Sequence, residues 1–290
     1  EFMKDILATG LLFPEGPAVL SSGTVLCSEQ GASQITVAEG EGGKLYAKTG
    51  GSPNAAVVGL NDIVYVTQNG GAVGGWRAEN NISASIQKID IDRNIEEICL
   101  ASDDGNLQAP NDLVFADDGT LWFTDSGQAF DFNDMKEHSR IITLSKNREA
   151  KTILDTGPVY NNGISTDIDN NIWWAETVPL AMCKLVNGER KQICILPENH
   201  FPDGFVSAQD GRIFIATTYG HNITIISPDG KIDGFIELDQ EAIPTNCIFD
   251  GSDLIISDFG TGWENNEKSG RIWRVSTDAV GCERFLGEIK

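Results

Sequence analysis

The stretch FPDGFVSAQDGRIFIATTYG, residues 201–220, decides the fold. Its second half, entered through the turn AQDG, is a short apolar strand. Its first half sets a carboxylate, Asp203, between Pro202 and Gly204, on a stiff corner ahead of a strand. A single acid on such a corner is an ordinary turn former. The question is whether other corners repeat it.

They do. A turn rich in Asp, Asn or Gly followed by a short apolar strand occurs six times: SSGTVLCSEQ (21–30), LNDIVYVTQN (60–69), ADDGTLWFTD (116–125), DIDNNIWWAE (167–176), AQDGRIFIAT (208–217) and FDGSDLIISD (249–258). The strands begin at Val25, Val64, Leu121, Ile172, Ile213 and Leu254, at intervals of 39, 57, 51, 41 and 41 residues. Most copies are followed by a strand with alternating polarity: ASIQKIDID, SRIITLSK, MCKLVNGE, NITIISPDG and RIWRVST. No segment carries a long helical period. Small β-meanders repeating every 40 to 50 residues are propeller blades. Six in 290 residues predict an all-β, six-bladed β-propeller. A sandwich of eleven or twelve strands would leave the repeat unexplained. Residues 3–290 read as one propeller domain, with Glu1 and Phe2 ahead of Met3 as a cloning remnant.

In such a fold the strand ahead of each copy lines the central channel. The segments there are FPEGPAVL (13–20), APNDLVFA (109–116), NNGISTDI (161–168) and FPDGFVSA (201–208). They carry Glu15, Asn111, Asn162 and Asp203 at one offset before the turn, and PTNCIFDG offers Asn246 in the corresponding place. Each alone is a turn former. Four at one offset predict a ring of oxygen-bearing side chains at one mouth of the channel. An all-oxygen set suits Ca²⁺, with Mg²⁺ or Mn²⁺ as alternatives. Two carboxylates offset a divalent charge; without a cation they repel, and one takes up a proton.

The bulk numbers narrow the partners. A net charge of −22, from 43 acids and 21 bases, argues against nucleic acid and anionic membranes. The six cysteines form no CxxC pair and no histidine clusters with them, which points to buried thiols rather than a zinc–thiolate site. No signal-peptide pattern and no membrane-length apolar run appear, so the expectation is a cytoplasmic protein. No GxSxG elbow is present, which argues against serine-hydrolase chemistry.

The segments EGPAVL, APNDLVFADDGTLWFTDSG, NNGISTDIDNNIWWAE and FPDGFVSAQDGRIFIA, in this order from Phe13 to about Gly260, resemble the senescence marker protein (regucalcin)/gluconolactonase family of six-bladed propellers. The resemblance implies one divalent metal held by Glu15, Asn162 and Asp203, with Asn111 as a further ligand or substrate contact. It implies a metal-dependent lactonase acting on a small-molecule lactone or ester, with Ca²⁺, Mg²⁺, Mn²⁺ or Zn²⁺ as cofactor. In that reading the cation activates the lactone carbonyl and Asp203 serves as general base on a water, with direct nucleophile as the alternative. Asn111 orients the substrate, while Glu15 and Asn162 anchor the metal. A phosphotriesterase- or arylesterase-type hydrolase on the same metal and a non-catalytic calcium-binding propeller are the alternatives. A strictosidine-synthase-like condensing enzyme would not need the complete ligand set. The sequence departs from the family at Ala109, where animal gluconolactonases carry an arginine, and at Thr166 and Ser28-Glu29. These changes direct attention away from gluconolactone itself.

Three further expectations follow. The glycine-rich segment GGAVGGWRAENN (70–81) reads as a lid presenting Trp76 and Arg77, or as a plain surface loop. His200, three residues before Asp203, is the one histidine placed to assist. Trp173, Trp174, Phe205, Tyr219 and Trp263 either line a pocket or fill the propeller core.

Overall fold

The structure, a computed structural model, describes residues 3–128 and 132–290. Glu1 and Phe2, read above as a cloning remnant, lie outside the described residues. No α-helix occurs among the described residues; four short 3₁₀ turns interrupt a succession of strands.

Six sheets, each with four antiparallel strands at its heart, make the blades of a β-propeller. Their inner strands are Pro14–Val19, Pro53–Val58, Pro110–Phe115, Asn161–Thr166, Phe201–Ser207 and Pro244–Asp250. The next strands out are Val25–Glu29, Val64–Gln68, Leu121–Asp125, Ile172–Glu176, Ile213–Thr218 and Asp253–Asp258, in the six copies read from the sequence. The alternating strands that follow are the third strand of their blades, for example Ser139–Leu144 and Gly270–Ser276. The sixth blade is completed by the opposite end of the chain. Lys4–Leu11 pairs antiparallel with Gly270–Ser276, so the first strand of the polypeptide closes the ring.

The core is divided among the blade interfaces. Six apolar clusters lie between successive blades; one packs Leu26, Ile35 and Tyr46 of the first blade against Val64, Val66 and Ile89 of the second. Trp173 and Trp174 point to opposite faces of one strand, as period-two geometry requires. They fall in two different clusters, on either side of the fourth blade. Both are core residues, as is Phe205. All six cysteines are free thiols and four are buried.

The segment after Ser276 returns across one end of the channel. Cys282 donates its N–H to Ser207 O (3.1 Å), Gly287 O accepts from Leu60 N (2.9 Å), and Ile289 N donates to Tyr65 Oη (2.9 Å). Gly287 lies so close to Phe115 that a Cβ there would meet its ring at 2.3 Å. This strap covers the far end of the channel, while the end where the inner strands begin stays open.

Candidate functional site

Each inner strand begins with the same construction. Its first residue is paired with the last residue of the next strand: Pro14 with Glu29, Pro53 with Gln68, Pro110 with Asp125, Asn161 with Glu176, and Pro244 with Asp258. In the fifth blade Phe201 is paired in the same way with Thr218, and Pro202 follows, opposite Thr217. Proline suits a strand start because its missing N–H leaves no ladder bond unmade there. Within the first two residues of the strand the register then begins to shift in all six blades. A bulge of this kind re-aims side chains away from the regular alternation. The re-aimed residues are Glu15, Asn54, Asn111, Asn162, Asp203 and Thr245, and all six line one cavity of about 320 Å³ at the open mouth.

The four residues anticipated from the sequence are therefore brought together. Asn54 was missed, although Pro53-Asn54 repeats Pro14-Glu15 and Pro110-Asn111. Asn246 is corrected: register gives the sixth ring position to Thr245, and Asn246 stands one layer deeper. That deeper layer consists of Gly16, Ala55, Asp112, Gly163, Gly204 and Asn246. Four of its members are small because neighbouring inner strands touch there. A Cβ on Gly163 would lie 2.4 Å from Asp203 O, and one on Gly204 would lie 1.9 Å from Asn246 Cγ. The room so left is taken by Asp112 and Asn246, on opposite blades, whose side chains meet with Asn246 Nδ2 donating to Asp112 Oδ2 at 3.4 Å.

Hydroxyl groups clamp the ring from blade to blade. Ser28 Oγ donates to Asn54 O (2.6 Å), Thr67 Oγ1 to Asn111 O (2.5 Å) and Thr124 Oγ1 to Asn162 O (2.6 Å). Thr177 Oγ1 donates to Pro202 O (2.8 Å) and accepts from Asn162 Nδ2 (3.1 Å). With its amide NH₂ engaged, Asn162 is left with Oδ1 buried and without a partner. Asn54 Oδ1 and Asp203 Oδ1 are in the same condition. Unpaired buried acceptors are costly and call for an explanation.

The loops entering the inner strands are held by side chains at the ends of the second strands. Glu29 Oε1 accepts from Leu12 N (3.0 Å), Asp125 Oδ1 from Ala109 N (2.6 Å) and Asp258 Oδ1 from Ile243 N (2.7 Å). Three of these terminal carboxylates are paired with arginines: Asp125 with Arg140, Glu176 with Arg190 and Asp258 with Arg271. They are structural charges, distinct from those in the cavity.

The cavity acids have no cation beside them among the described residues. Burial pushes the Glu15 carboxyl up to about 8, with the negative charge of Asp112 adding to the effect. Burial also raises Asp203 well above the ordinary carboxylate range, reinforced by Glu15 and Asp112. Asp112 is pushed up to about 6 by burial. Tyr160 is raised too, first by burial and then by Asp203 and Glu15, with Asn111 and Ser126 acting in the opposite direction. Tyr160 has φ of 54°, a left-handed conformation that favours glycine. Neither it nor Thr177 was foreseen, because nothing in the strand repeat marks them.

The remaining expectations divide. The 70–81 segment forms a small hairpin of Ala72–Val73 and Trp76–Arg77. Its tip overhangs the cavity through Val73 and Gly74. Trp76 packs edge-on against Phe13 (5.9 Å), and Arg77 NH1 donates to Gly74 O and Trp76 O. His200 does not line the cavity: its ring faces Phe235, Asn222 and Glu198 O. His200 lies in the loop ahead of the inner strand Phe201–Ser207, upstream of the bulge that re-aims Asp203. Tyr219 and Trp263 do line the cavity.

A divalent cation can be tested against these donors. Among the described residues no three His, Cys, Asp or Glu side chains form a metal-type cluster. The mouth offers instead two carboxyls with amide oxygens from Asn162 and Asn54, three of these groups holding an unpartnered buried oxygen. Oxygen donors with anions destabilised by burial fit a hard divalent ion and give no soft ligand for a thiophilic one.

Comparison with known proteins agrees with this architecture. Residues 13–257 match the family described as SMP-30/Gluconolactonase/LRE-like region. A calcium-binding regucalcin from Agrobacterium tumefaciens superposes with a TM-score of 0.76 at 15% identity, over 100% of this chain and 98% of that one. A gluconolactonase from Xanthomonas campestris superposes with a TM-score of 0.74 at 19% identity, over 95% of this chain and 89% of that one. The Arabidopsis thaliana protein strictosidine synthase-like 6 is 24% identical over 207 residues, 67% of this chain and 52% of that protein. The chain thus spans about half the length of the curated relatives it matches. The six-bladed fold and the match over most of its length make this chain a member of the SMP-30/gluconolactonase/LRE-like family.

Proposed function

We propose that the protein is a metal-dependent hydrolase that opens the ring of a small lactone at the channel mouth. Glu15, Asn111, Asn162 and Asp203 would hold the cation, with Asn54 as a fifth oxygen donor, and Ca²⁺ suits the set best. The observation that carries the reading is the group of buried, unpaired oxygens on Asn54, Asn162 and Asp203 beside Glu15. Such oxygens are expensive in a folded protein unless a ligand completes them.

A bound divalent ion would supply positive charge for the acyl oxygen and hold the carboxyls ionised at neutral pH. The chain's own residues do the rest. Asp203 Oδ1 accepts a proton from the attacking water. The water oxygen bonds to the acyl carbon and the ring C–O bond breaks. The proton then passes from Asp203 to the departing ring oxygen, and the product is a hydroxy acid. Asn111, which lines the cavity together with Tyr160, orients the substrate. Thr177 keeps the Asn162 amide turned with its oxygen inward. The strap closes over the far end, away from the mouth where these residues meet.

A panel of aldonolactones, aliphatic lactones and aryl esters, assayed with and without EDTA, tests the reading. Lactone opening that EDTA abolishes and Ca²⁺ restores supports it. No turnover on any member, or turnover indifferent to chelation, contradicts it.

A further inference from the structure

We propose that the cavity selects neutral ligands with a flat apolar or aryl ring and discriminates against polyhydroxylated and anionic ones. The proposal rests on the hydrolase reading for the word substrate, but its test below reads binding alone.

The first observation is the wall. Among the described residues six aromatic side chains line the cavity in three touching pairs. Phe132 lies 4.8 Å from Tyr160, Phe201 lies 6.1 Å from Tyr219, and Phe259 lies 5.4 Å from Trp263, between ring centroids. Trp263 is further supported edge-on by Phe13, and the hairpin tip adds Val73. Aromatic faces held by neighbours offer large contact area with little rotamer entropy to lose.

The second observation is that several polar groups of the aromatic wall, above the oxygen ring, are already engaged. Asn69 Nδ2 donates to Ala72 O and its Oδ1 accepts from Gly71 N. Thr218 Oγ1 donates to Phe201 O, and Thr245 Oγ1 to Pro14 O. Thr177 is taken up by Asn162 and Pro202. Beside these engaged groups the aromatic wall offers the unpaired Trp263 Nε1 as a donor, so a ligand with several hydroxyls cannot pair them all there, and each hydroxyl buried unpaired costs affinity.

The third observation is charge. No Lys, Arg or His lines the cavity among the described residues. Ala109, whose Cβ faces the space beside Asn111, carries nothing that could grip a carboxylate or phosphate. Glu264 stands at the rim, 3.3 Å from the Tyr219 hydroxyl, and the whole chain carries −22. An anion approaching this mouth meets a repelling field.

Isothermal titration of the full-length protein, in Ca²⁺ and again in EDTA, tests the assignment with two lactams that mimic the ring without opening. One is a benzo-fused δ-lactam, the other an aldonolactam. The expected result is binding of the benzo-fused ring at least about tenfold tighter than the sugar-derived ring. Tyr219 and Phe132 are 42% and 43% exposed, so Tyr219→Ser and Phe132→Ser remove wall without removing core. Each should weaken the benzo-fused ligand about fivefold and leave the aldonolactam unchanged. Equal or tighter binding of the aldonolactam, no binding of the aryl ring, or indifference to both substitutions would overturn the proposal. A protein that binds the aryl lactam but opens no lactone would retain this selectivity and lose the hydrolase reading.

Discussion

Asn246 Nδ2 and Asp112 Oδ2 meet at 3.4 Å although 134 residues separate them, on blades that face each other across the channel. The contact exists because Gly16, Ala55, Gly163 and Gly204 leave the space that two longer side chains fill. Asp112 is also held by the N–H groups of Leu113 (2.8 Å) and Ile164 (3.3 Å). It forms a polar floor beneath the mouth. Gly204→Ala would drive a Cβ into the Asn246 amide. Overpacking of this kind costs about 1–3 kcal/mol, so denaturant melts should show that loss, with Asn246→Ala in the same chain restoring part of it.

Stability of the metal-stripped protein should fall as pH rises. Glu15 is raised from 4.5 to about 8 and Asp112 from 3.8 to about 6, so between those values the folded chain holds protons that the unfolded chain has released. Protons bound preferentially by the native state stabilise it at low pH, and that contribution is lost as pH climbs toward 8. Thermal melts in EDTA should therefore decline from pH 5 to pH 8. The gain on adding Ca²⁺ should grow over the same range. A flat profile in EDTA would remove the electrostatic basis of the site.

Thr177 has a positioning role that can be separated from a packing role. Thr177→Val keeps the shape but leaves the Asn162 amide free to turn. Loss of an outer partner of this type weakens metal binding about 10- to 100-fold. Thr177→Ser should restore it. Unchanged Ca²⁺ affinity in the valine variant would show that the amide is held by other means.

Asp203→Asn keeps the volume and removes the proton acceptor. Turnover of the best lactone should fall by about 10²- to 10⁴-fold, with circular dichroism unchanged. A variant within a fewfold of the parent would move the base to another residue.

The fold was legible because a propeller repeats its signal: the turn-plus-strand unit recurs six times, and the start of each second strand was readable to within a residue. The site was legible where the corner motifs were strong, at Glu15, Asn111, Asn162 and Asp203. Asn54 was overlooked because Ala55 follows it, where Glu15, Asn162 and Asp203 are each followed by glycine. Asn246 was placed one step too high because bulges shift register, and a bulge leaves no composition trace in PTNC. Tyr160 and Thr177 belong to loops whose course depends on the closed ring. The role of 70–81 turned on Trp76 finding Phe13, a contact between distant segments that periodicity cannot express.

Calorimetric titration of Ca²⁺ into EDTA-stripped, dialysed protein and into its Asp203→Asn variant addresses the central claim most directly. The account predicts one ion bound per chain, with affinity lost in the variant. An absence of binding heat in the parent, or an isotherm that the substitution leaves unaltered, would contradict it.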